Sequence, residues 1–167
     1  MPIRSNASPD EILSPFYKEN EALCHKWEKF VLNKGGQING LFNASSFSIK
    51  SKIKSHHTWL VDVKKATYSN GFLLFSSKYQ NLQEILIFRT LIHDTGSNGF
   101  LIRNSRLRRG SKDNQFAREV IKLLKEGFQN ESLYEVLFRK SELRITFHHK
   151  NDWFDMAENI IDFNYTP

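Results

Sequence analysis

The run Phe47 to Lys54, FSIKSKIK, constrains this chain more than any other stretch. Successive side chains of an extended chain point to opposite faces. Phe47, Ile49 and Ile53 therefore share one face and Lys50, Lys52 and Lys54 the other. Such a strand needs a sheet with one face covered by apolar packing and the other in water. The alternation continues to Val63, interrupted by a turn or bend near Ser55-His56.

The flanks supply the cover. Ser8-Pro9-Asp10-Glu11 and Ser14-Pro15 both have the form of a helix start, and the second predicts the main N-terminal helix. Phe16, Leu23, Trp27, Phe30 and Val31 recur along it at helical spacing, and Gly35-Gly36 ends it. Asn70-Gly71 predicts a two-residue hairpin turn, with FLLFSS at 72–77 as the returning strand. EILIFRTLIHD at 84–94 could follow a helix cap at Asn81, but its β-branched residues favour a strand. GFLIRNSRL at 99–107 reads as the next strand, after the loop DTGSNG.

The period then changes. Phe116, Ala117, Val120, Ile121 and Leu124 mark a helix over 113–127, capped by Asp113 or Asn114. Residues 133–149 read as a hairpin turning at Arg139-Lys140-Ser141-Glu142, and 151–162 as a final helix. The sum is an α+β chain, taken as one domain over 1–167, in which an antiparallel meander packs against an N-terminal helix and C-terminal helices.

Charge is distributed unevenly. Residues 49–112 hold twelve Lys/Arg against three Asp/Glu, a net of +9; residues 1–48 balance, residues 113–167 carry −3, and the total is +6. Positive charge concentrated in the middle segment predicts an anionic partner: nucleic acid, an anionic membrane surface or an acidic protein. The candidate contacts are the lysine stripe Lys50, Lys52 and Lys54, about 13 Å long at about 3.3 Å per residue, and the arginines Arg103, Arg106, Arg108 and Arg109. Arg103 alternates with Ile102 and is expected away from the core side, and Arg108 and Arg109 are expected on a loop beyond the strand end, free to fork onto phosphate. Lys64 and Lys65 lie further along the second strand.

Other chemistries find less support. The single cysteine, Cys24, permits no intrachain disulfide and fits a reducing, cytoplasmic setting. No apolar run approaches the length of a membrane span. His56-His57 and His148-His149 are adjacent pairs, and neighbours on a strand face opposite ways, so neither pair chelates one ion; no metal or other cofactor is expected. Fourteen phenylalanines are ample for a core and would equally line a cavity for an apolar ligand. Asp94-Thr95-Gly96-Ser97, after an apolar strand, resembles the active-site triplet of aspartic proteases. That resemblance implies a dimer pairing two Asp94 carboxylates, since the chain holds one copy. His93 stands where that family prefers an apolar residue, and the same four residues also suit an Asx turn. The expected function is non-catalytic binding.

Overall fold

The computed structural model describes residues 3–67, 82–93, 99–103, 106–110, 113–127, 133–149 and 154–165. Asn70-Gly71, the strand expected at 72–77 and the motif at 94–97 lie outside the described residues.

Among those described, nine strands form one sheet: β1 (Ile3–Ser5), β2 (Gln37–Phe42), β3 (Phe47–Lys54), β4 (Thr58–Thr67), β5 (Leu82–Leu91), β6 (Phe100–Arg103), β7 (Arg106–Arg109), β8 (Leu133–Arg139) and β9 (Glu142–His149). The helices are α1 (Pro15–Asn33), α2 (Gln115–Gly127) and α3 (Phe154–Asp162). The chain is of the α+β class. The sheet order is β1-β2-β3-β4-β5-β9-β8-β6-β7, and every pair except the parallel β1–β2 is antiparallel.

Strands β2 to β5 follow one another as a meander. The late hairpin β8–β9 then inserts between β5 and β6, so the order leaves the sequence there. The segment read as one strand over 99–107 is two: β6 and β7 pair with each other, with a register shift between Leu101 and Ile102. Arg108 and Arg109 therefore sit on an edge strand rather than on a loop, with Arg106 on the same strand. Residues 84–91 of the EILIFRTLIHD segment belong to strand β5, as its β-branched residues favour.

Helix α1 starts where Ser14 Oγ accepts the Phe16 N–H at 3.2 Å with Pro15 at the first helical position. A single 3-10 turn over Glu11–Leu13 precedes it. It ends in a Schellman motif: the Gly36 N–H reaches Val31 O at 2.9 Å and the Gly35 N–H reaches Leu32 O at 3.0 Å, with Gly35 at φ 70°. Gly36 also permits close approach to the sheet, since a Cβ there would meet Lys52 O at 2.6 Å. Tyr17, Asn20, Cys24, Trp27, Glu28 and Val31 are buried; Phe16, expected in the apolar stripe, is exposed.

The helix-covered face of the sheet carries the core: Ile49, Ile53, Trp59, Val61, Val63, Leu86, Phe88, Ile145 and Phe147 are sealed from solvent. Trp27 Nε1 donates to Ser51 Oγ (3.1 Å), which donates to Val61 O (3.2 Å), joining α1 to two strands. Trp59 Nε1 donates to Ile161 O (3.2 Å) and holds α3 on β4. Phe116 brings α2 against Phe100 and Phe138. The described phenylalanines largely pack on one another, as in the stacked pair Phe88–Phe147.

Candidate anion-binding surface

The described helices lie on one face; the other carries no described helix, and strand register decides which side chains meet there. The burial of β3 alternates strictly, so Lys50, Lys52 and Lys54 are exposed on the open face. None of the three has an ion-pair partner among the described residues. Lys64 joins them, directly across from Ser48. Lys65 turns the other way, and its Nζ donates to Asn20 Oδ1 of α1 at 2.9 Å.

Across the sheet, Arg103 faces Glu135 of β8 and its Nε donates to Glu135 Oε2 at 3.0 Å. Arg106 lies opposite Arg103, and Arg109 opposite Leu101. Since Phe100 and Ile102 are core residues, this parity puts Arg103, Arg106 and Arg109 on the open face with the lysines. Arg108 is the extra residue of the bulge, between Leu107 opposite Ile102 and Arg109 opposite Leu101. The two predicted clusters thus share a face but are not contiguous. From β3 to β6 is five strand spacings, about 24 Å at about 4.8 Å each.

What spans the gap was not visible in the sequence. Following partners from strand to strand, one row runs Gln37, Lys52, Leu60, Arg89, Arg144, Leu137, Leu101, Arg109. It contains no acidic residue. The next row, Asn39, Lys50, Asp62, Ile87, Thr146, Glu135, Arg103, Arg106, holds Asp62 and Glu135. Arg89 and Arg144 stand directly opposite each other at the centre, and Arg89 Nη2 reaches Asp62 Oδ2 at 3.4 Å. Arg139 lies on the same face at the end of β8, opposite Glu142. Arg89 and Arg144 are isolated in the chain, Arg139 has only Lys140 beside it, and register makes the three neighbours.

Two depressions indent this face. One, of about 550 Å³, is lined by Lys52, His56, His57, Thr58, Leu60, Arg89, Thr90, Leu91, His93 and Glu142. The other, of about 490 Å³, is lined by residues including Leu101, Arg103, Arg109, Glu135, Leu137 and Arg139. The surface is basic with aliphatic patches; histidines line its first depression, Phe100 and Phe138 belong to the lining of its second, and the rows across it hold no Phe, Tyr or Trp.

Titratable groups near the face behave as their surroundings dictate. Burial, then the charge of His56, lowers the His57 pKa below its ordinary value, and His57 Nε2 accepts the Tyr165 N–H at 3.1 Å. On the covered side, burial pushes the Cys24 thiol up to about 12, against the opposing pull of Lys65. No group of three or more His, Cys, Asp or Glu side chains among the described residues could hold a metal ion. No described helix is long and apolar enough to cross a membrane.

No family model, curated protein or solved structure matches the chain.

Proposed function

We propose that the sheet face opposite the described helices is a docking surface for an extended anionic partner, with a nucleic-acid strand as the partner best matched in form. The observation that carries this reading is the acid-free row from Lys52 through Arg89 and Arg144 to Arg109. A line of cations across several strands suits a partner that presents its own charges in a line. Arginine suits phosphate because its planar fork can donate two parallel bonds. The reading assigns no chemistry to the chain: the surface binds, and the rows across it, which carry arginine and lysine but no Phe, Tyr or Trp, put the weight on backbone charge rather than on bases.

The test is a titration with labelled single- and double-stranded oligonucleotides, with anionic vesicles and with an acidic protein, at several salt concentrations. Counterion release predicts a log–log slope of about −0.7 per phosphate contacted on single strands. Replacing Lys50, Lys52 and Lys54 together with alanine should flatten that slope by about 2 and leave the fold intact, since exposed charges add little stability. Saturable binding to vesicles or acidic protein alone would reassign the partner. No saturable binding to any of them at low salt overturns the reading.

A further inference from the structure

Arg89 and Arg144 face each other directly on adjacent central strands. Like charges so placed destabilise a sheet. Arg89 is also poorly satisfied: its Nε is closed off from solvent without a hydrogen-bond partner, and its Nη2 contact to Asp62 is long at 3.4 Å. Beside it opens the depression of about 550 Å³, where Lys52 adds a further cation and Leu60 and Leu91, 45% and 57% exposed, add bare aliphatic surface. Unspent donors, a like-charge pair and an apolar wall in one place call for an anion with an aliphatic part.

We infer that this depression is a binding site for the phosphate monoester of an aliphatic group, its phosphate held by Arg89 and Lys52 of the lining, with Arg144 facing Arg89 from just outside it, and its chain on Leu60 and Leu91. The charges match. Lys52, Arg89 and Arg144 are offset on this part of the face by Asp62 and Glu142, and the positive remainder favours an anionic ligand. Glu142 lies in the next row, across from Arg139. The site overlaps the polymer surface at Lys52, Arg89 and Arg144, but its argument does not rest on that reading.

Isothermal titration with inorganic phosphate, hexyl phosphate and hexanol tests it. Hexyl phosphate should saturate and bind several-fold tighter than inorganic phosphate, and hexanol should not bind. Equal affinity for phosphate and its hexyl ester, or no saturation by the ester into the millimolar range, overturns the proposal. Arg89→Gln should abolish ester binding, whereas Arg144→Gln should weaken it and raise the unfolding temperature of the ligand-free protein, because it relieves the repulsion. A lowered unfolding temperature for Arg144→Gln, or unchanged ester binding for Arg89→Gln, sinks it. Vesicles containing phosphatidic acid separate the sources: binding to them as well as to hexyl phosphate assigns a lipid headgroup, and binding to hexyl phosphate alone assigns a free ester. Either result supports the site. Ester binding without oligonucleotide binding removes the polymer reading alone, and the converse removes this one.

Discussion

His57 and Cys24 show how much a single position owes to its surroundings. His57 Nε2 is an acceptor for the Tyr165 N–H, a role only the neutral ring can fill. Its pKa is lowered from the ordinary 6.5, by burial first and by His56 second. Below about 6.5 the unfolded chain takes up the proton and the folded one resists it, so stability present above that pH is lost as pH falls. Urea midpoints measured from pH 8 down to pH 5 should drop, and His57→Gln should flatten the drop. Cys24, with its thiol raised to about 12, should be inert to thiol reagents at pH 8 until the protein unfolds, which a native-against-denatured labelling assay reads directly. The sequence put Cys24 inside the predicted N-terminal helix, three residues before Trp27 of its apolar stripe. It gave no sign that Ser51, polar in an apolar alternation, is buried to receive Trp27. Ser51→Ala strands the indole N–H and should cost about 1–3 kcal/mol by chemical denaturation.

At the level of elements, local signals were legible wherever the chemistry is local. Ser14-Pro15 and Gly35-Gly36 bound α1 because capping and positive φ are properties of a few consecutive residues. Asn114 Oδ1 caps α2 through the Ala117 N–H, one of two caps the sequence allowed. The break between β6 and β7 was hidden because RLRR has no alternation to betray a new strand, and an edge strand needs none. The β8–β9 hairpin was read correctly even though its turn is unfavourable. Lys140 and Ser141 sit at φ 50° and 66°, a left-handed pair that side chains resist. Replacing them with Asn-Gly should stabilise the protein by about 1 kcal/mol without altering the fold, measurable as a shift in the denaturation midpoint.

At the scale of the molecule, the fold class followed from alternation and helical period, whereas strand order did not. Nothing local to residues 133–149 announces that their hairpin will enter between β5 and β6, yet that insertion alone sets Arg144 against Arg89. The same step parts the two basic clusters by about 24 Å, at about 4.8 Å per strand, although both fall in one basic stretch of the sequence. This separation yields a prediction about partner length. A stacked single strand advances about 3.4 Å per nucleotide, so about seven are needed to reach from β3 to β6. Oligonucleotides shorter than that can hold the lysines or the arginines but not both. Longer ones gain the second cluster as an intramolecular contact at high effective concentration. Affinity should therefore climb steeply near that length and then level off. Alanine at Lys50, Lys52 and Lys54, or at Arg103, Arg106 and Arg109, should remove the step while affecting shorter strands less. A smooth rise with length, the same in wild type and both triple variants, would mean that the two clusters do not act as ends of one surface.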